Sequence, residues 1–180
     1  MVKKVLVAAA VTLALSAPAF AADSENLQLF RAVQQQVLQY THFTIFDNVN
    51  VQVDNGAVKL TGKVTMPYKK DDIEHRIRQV TGVQRVDNGI DVLPVSQFDD
   101  DLRLGIAQAI YSNPAFRGMV SMVNPPIHVI VENGHVTLDG VVLNDVDRAI
   151  ARSIAAGFPS FSFKSNLKTE SEVQQELEKL

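Results

Sequence analysis

The chain has 180 residues, no cysteine and a formal net charge of −3. The missing cysteines exclude a disulfide-stapled fold, and the acidic balance argues against a general binder of polyanions.

Lys3 and Lys4 form a short basic start, and the apolar run 5–15 that follows is too short to span a bilayer. Ala19-Phe20-Ala21 supplies a small-residue cleavage pattern. Residues 1–21 are therefore expected to be a secretory signal, with cleavage near Ala21-Ala22; an N-terminal membrane anchor is the alternative. Loss of the two lysines lowers the formal charge from −3 to −5. Export removes nucleic acid as a normal partner.

Residues 26–40 carry Leu29, Phe30, Val33, Val37 and Leu38 at helical spacing. Asp23 or Ser24 stands where a cap would be. The loop 41–47 holds Phe43, Ile45 and Phe46. From 49 to 64 the chain reads VNVQVDNGAVKLTGKV, two alternating runs about Asn55-Gly56. Asn-Gly suits a type I′ turn, which needs φ > 0 at both central residues. A two-residue turn there pairs Val53 with Val58 and Val51 with Leu60, on one face. Pro67 opens a second helix over 67–80 with Ile73, Ile77 and Val80 inward, and Gly82 ends it. Val83, Val86, Ile90 and Val92 supply a turn and a last strand, closed by Pro94.

The same order then recurs. Asp99, Asp100 and Asp101 precede a helix over 102–111 with Leu102, Ile106 and Ile110 inward. The acidic run reads as a cap and a partner for the helix dipole rather than a metal site. A longer connection, 115–126, contains Phe116, Met119, Met122 and Val123. Residues 127–142, IHVIVENGHVTLDGVV, repeat the hairpin about Asn133-Gly134, pairing Val131 with Val136 and Val129 with Leu138. Both the turn glycines and the following pair, Gly62 and Gly140, lie 78 positions apart, which marks a tandem duplication. A helix over 145–156 presents Ile150 and Ile154 inward, and Phe158, Phe161, Phe163 and Leu167 make the last turn and strand. In the tail, 170–180, Val173, Leu177 and Leu180 have helical spacing, but a segment this short is marginal alone.

The expected fold is α+β: two tandem α-β-β-α-β modules, 26–94 and 99–169, each a three-stranded mixed sheet packed on two helices. The segments VDNGAVKLTGKV, TGVQRVDNGIDV (81–92) and VENGHVTLDGVV, set in such modules, resemble the BON-domain family (bacterial OsmY and nodulation). The likeness covers about 26–169. The second module departs at 155–167, where Phe158-Pro159-Ser160 stands near the family's Gly-Val and phenylalanines replace valines. The resemblance implies a non-catalytic periplasmic envelope protein, without cofactor, that binds phospholipid surfaces and supports envelope integrity under stress. It carries over no catalytic or ligand-binding residue.

A membrane partner needs a surface. In the first module Lys59, Lys63, Lys69, Lys70 and Arg76 are candidates to meet an anionic leaflet, interleaved with Asp71, Asp72 and Glu74. In the second the candidates are Phe116, Arg117, Met119 and Met122, an aromatic and methionine loop flanked by arginine; the alternative is that this loop covers the open end of the core. His42 lies in a loop and His75 on a helix. His128 opposite Asp139 and His135 opposite Glu132 read as cross-strand pairs on a solvated sheet face, the alternative being a pH-sensitive or metal-binding face. A second class of function, a protein-interaction or chaperone-like envelope module acting through exposed strand edges, stays open beside the first.

Overall fold

The computed structural model describes residues 19–122 and 124–177, with side chains from 25 to 176 apart from 123. Most of the expected signal and the last residues of the tail lie outside the described residues. The first module runs α1 (Ala19–Leu38), β1 (Asn48–Asp54), β2 (Ala57–Val64), α2 (Pro67–Arg78) and β3 (Arg85–Val92). The second runs α3 (Gln97–Ser112), a 3₁₀ turn (Arg117–Met119), β4 (Ile127–Glu132), β5 (His135–Val142), α4 (Asp145–Ala156) and β6 (Ser162–Thr169), followed by α5 (Glu170–Leu177). In each sheet the central strand pairs antiparallel with the strand before it and parallel with the one after, in the orders β1-β2-β3 and β4-β5-β6. This is the mixed α+β arrangement expected from the sequence.

Both hairpins have the expected register, Val53 to Val58 and Val131 to Val136 among the pairs. Asn55 and Gly56 have φ of 45° and 78°, Asn133 and Gly134 51° and 77°, as a type I′ turn requires. Gly62 and Gly140 serve a different need. A Cβ at either would stand 2.2 Å from the Asn48 carbonyl oxygen or 1.9 Å from that of Pro126. Here the central strand passes so close to its neighbour that only glycine fits.

Two apolar cores form, one per module. Val33, Val37, Val58, Leu60, Ile73, Ile77 and Ile90 fill the first, and Ile106, Ile110, Ile127, Val129, Val131 and Leu138 the second. Asp23 and Ser24 lie inside α1, which starts at Ala19, so neither caps it. Ser96 caps α3, accepting the Asp99 N–H at 3.2 Å. The tail helix α5 has a start signal that periodicity does not reveal. Thr169 Oγ1 accepts the Glu172 N–H at 3.2 Å while the Glu172 carboxylate accepts the Thr169 N–H at 2.8 Å, a capping box. Arg148 on α4 donates to both Glu172 oxygens, at 2.9 and 2.8 Å, and ties the tail to the second module.

Candidate functional site

The junction between the modules is built on a buried acid. Asp47, at the end of the loop after α1, is fully buried. Its Oδ2 accepts from Thr44 N–H and O–H, each at 2.8 Å, and from Lys69 Nζ at 2.6 Å. Its Oδ1 accepts from Thr65 N–H and O–H at 2.8 and 2.9 Å. The loop is thereby bound to the end of β2 and the start of α2, and its apolar side chains are free to face the other module. Ile45 and Phe46 pack against the second core. Phe43 lies 5.5 Å from the His128 ring. The Ile45 carbonyl accepts the Val129 N–H at 2.7 Å. Asn48 donates to Asp139 at 2.8 Å and Lys63 to Glu132 at 3.0 Å. Asn124 donates to the Leu38 carbonyl. The modules are thus docked through specific contacts.

His128 is therefore not on a solvated face. It lies in the junction with Nδ1 buried and, among the described residues, without a hydrogen-bond partner. Burial holds its imidazole below its ordinary value, against the nearby carbonyls of Asp47 and Thr44 and the carboxylates of Asp139 and Asp47. His135 stays exposed, bonded to Ser162 at 2.7 Å and beside Phe161. His42 stacks on Tyr40 and meets Tyr68 edge-on, and His75 meets Gln79. Among the described residues no group of three or more His, Cys, Asp or Glu side chains could hold a metal ion.

The sequence-derived membrane candidates divide. Lys59 is exposed on β2 and Lys70 half-buried on α2. Lys63 is committed to Glu132 and, at 3.7 Å, to Asp91. Lys69 is 4% exposed and paired with Asp47, so it is an internal cation and not a surface one. Arg76 lies 5.8 Å over the Tyr40 ring and donates to the Gln36 carbonyl at 3.3 Å. In the second module Phe116 and Met119 turn inward and belong to the core. The 3₁₀ turn folds its apolar side across the end of the core, the covering role weighed for this loop. Its other side shows Arg117, Val120 and Met122, the last two 56% and 52% exposed.

The acidic run contains a residue whose role periodicity missed. Asp99 is fully buried, and its oxygens accept the N–H groups of Asn133 and Gly134, both at 2.7 Å. It clamps the second hairpin turn. Asn26, at the corresponding place on α1, does the same for the first turn, accepting the Asn55 N–H at 2.9 Å. An acceptor side chain in the first turn of α3 was the available signal for Asp99; Asn26, well inside α1, had no such positional signal.

The strand edges also differ. Adjacent to a two-residue turn, Asp54 and Glu132 bond across the ladder, so Val49, Val51 and Val53 on β1, and Ile127, Val129 and Val131 on β4, turn their N–H and C=O outward. On β4 these groups are met. Tyr111 O–H donates to the Ile127 carbonyl at 2.6 Å and accepts its N–H at 3.1 Å, and Arg103 donates to the Val131 carbonyl at 3.1 Å. Burial pushes the Tyr111 phenol up to about 12, so it remains a donor. On β1 the helix offers Leu38 and Phe30 at the matching places, which have no polar atom to give.

The family model described as the BON domain matches this chain twice, at residues 28–94 and 99–160. No curated protein matches it. Among solved structures it is similar to the C-terminal domain of CdsD, the structural protein of the type III secretion system of Chlamydia trachomatis. Identity there is 17% and the TM-score 0.34, over 85% of this chain and 70% of that one. A second CdsD structure gives 14% and 0.28, over 84% of this chain and 97% of that one.

Proposed function

The chain belongs to the BON-domain family, which it matches over both modules, and on that premise we propose that it is a non-catalytic periplasmic protein that binds anionic phospholipid surfaces and supports envelope integrity under stress. The secretory pattern of residues 1–21 supports export. The observation that carries the lipid reading is the 3₁₀ turn of the second module. Phe116 and Met119 anchor it in the core, while Val120 and Met122 project beside Arg117. The exposed Leu38 at the end of α1 adjoins the same loop through the Asn124 contact. A rigid base with apolar side chains and a cation at its tip suits shallow entry into a headgroup layer. Each inserted apolar side chain contributes on the order of 1 kcal/mol, and each basic group near an anionic leaflet about as much. Binding is therefore weak, reversible and salt-sensitive.

Co-sedimentation of the mature protein with anionic vesicles tests this. The wild type is expected to pellet at low salt and to be released at high salt. Val120→Asp with Met122→Asp should abolish pelleting, and Arg117→Glu should weaken it. Lys59→Glu with Lys70→Glu separates the modules: an effect as large as that of the loop variants would move the contact to the first module. No pelleting with anionic or neutral vesicles at low salt would remove the lipid reading.

A further inference from the structure

We propose that the open edge of β1 accepts an extended peptide from a partner protein as a fourth strand, laid along the cleft between the two modules. The duplication supplies the comparison. The edge of β4 is closed by Tyr111, Arg103 and the Ile45 carbonyl, this last a main-chain group from an irregular stretch of the other module. The matching edge of β1 has three outward residues, Val49, Val51 and Val53, and among the described residues no side chain or loop bonds to their main-chain groups. The other edge of that sheet is protected differently. On β3 the Asn88 side chain accepts the N–H of its own strand's Ile90 at 3.2 Å and donates to Glu74 on α2 at 2.8 Å. An open strand edge is a template for pairing.

A cleft of ≈ 470 Å³ runs beside that edge, lined by the consecutive residues Asn48, Val49, Asn50 and Val51. Its volume suits one extended chain, and the second module on its far wall keeps out a second folded sheet. Outward groups recur at every second residue, so a segment of about five residues pairs with all three. Its side chains alternate between two environments. One is apolar, with Val37 and Leu38 at the end of α1; the other is polar, with Asn50, Asp139 and Lys168. The fitting partner is an unfolded or unstructured segment with apolar and polar residues in alternation. Main-chain bonds supply most of the affinity, so recognition is tolerant of sequence. Leu38 and Asn124 border both this cleft and the lipid-facing turn, but the main-chain groups of β1 belong to the strand edge alone, so the proposal does not rest on the lipid reading.

The test uses the mature protein and a dye-labelled octapeptide of alternating valine and threonine with a lysine at each end. Fluorescence anisotropy should show saturable binding. The same peptide N-methylated at every amide, which leaves neither edge a donor, should not bind. Val51→Pro removes one outward N–H at a place where an edge strand tolerates proline, and binding should weaken on the order of tenfold. On the unmodified protein, amide exchange at Val49, Val51 and Val53 should slow when peptide is added. Absence of saturable binding overturns the proposal, as does binding that the N-methylated peptide shares. Protection of these three amides that rises with protein concentration and needs no peptide also overturns it, and assigns the edge to a second copy of the chain.

Discussion

Asp47 and Lys69 meet at 2.6 Å where water does not reach, with side chains 0% and 5% exposed. The carboxylate holds the loop that docks the second module, so this pair connects folding of the first module to assembly of both. Removing one partner leaves a lone buried charge. Lys69→Met or Asp47→Ala is expected to lower the unfolding free energy by about 3–5 kcal/mol. Replacing both should cost less than the sum, because no charge is stranded, yet the Thr44 and Thr65 N–H groups still lose their acceptor. Urea denaturation of the singles and the double gives the coupling energy directly. Additive losses would show that the pair is not coupled.

Asp99 and Asn26 occupy corresponding places but unequal environments. The Asp99 carboxylate is buried and accepts two turn amides, whereas the Asn26–Asn55 bond is exposed. Asp99→Ala is expected to destabilise the chain by about 1–3 kcal/mol, since the buried Gly134 N–H is left unpaired. Asn26→Ala should change stability much less. Thermal unfolding of the two variants compares them, and equal effects would mean that the clamp on the second turn is not set by burial.

These two cases show where sequence reading succeeds and where it stops. The hairpins were legible because an Asn-Gly turn and its flanking valines encode register within a dozen residues. Ile73, Ile77, Ile106 and Ile110 were legible because 3.6-residue spacing is local. The Asp47–Lys69 pair spans 22 positions and requires the α2 start to fold back on the loop after α1. In sequence, Lys69 is one of several lysines, and nothing local distinguishes it from its exposed neighbour Lys70. For Phe116 and Met119 the sequence leaves display and covering of the core both open, because apolar residues in a long loop carry no direction; only the 3₁₀ geometry separates them from Val120 and Met122. The closure of β4 by Tyr111, and the lack of it on β1, depends on which helix side chain reaches an edge, which spacing alone does not determine.

His128 makes the junction acid-sensitive. Burial lowers its pKa in the folded protein, so in acid the unfolded chain binds the extra proton first. The stabilisation is present above the ordinary imidazole value of 6.5 and is lost as pH falls from there through the lower folded value. Asp139, Asp47 and the Thr44 carbonyl facing the ring limit the loss without reversing it. His128→Phe, which keeps a ring against Phe43, should flatten the fall in melting temperature between neutral pH and about pH 5. An unchanged fall would place the acid-labile group elsewhere.

The tail helix should respond to acid through a different group and with its own window. Two bonds hold the Glu172 carboxylate below the usual range, first the Thr169 N–H and then Arg148. A depressed carboxylate stabilises the folded state above its ordinary value of 4.5, and that contribution is lost as pH falls through the lower folded value. The helix α5 is therefore expected to loosen at lower pH than the His128 junction. Amide exchange over residues 173–176 measures this separately from global unfolding. Thr169→Ala breaks the capping box and should speed that exchange by about fivefold at neutral pH. Arg148→Gln should speed it less, because Thr169 and Glu172 still cap each other. If Arg148→Gln proved the more damaging change, the cross-helix ion pair and not the cap would be what keeps the tail in place.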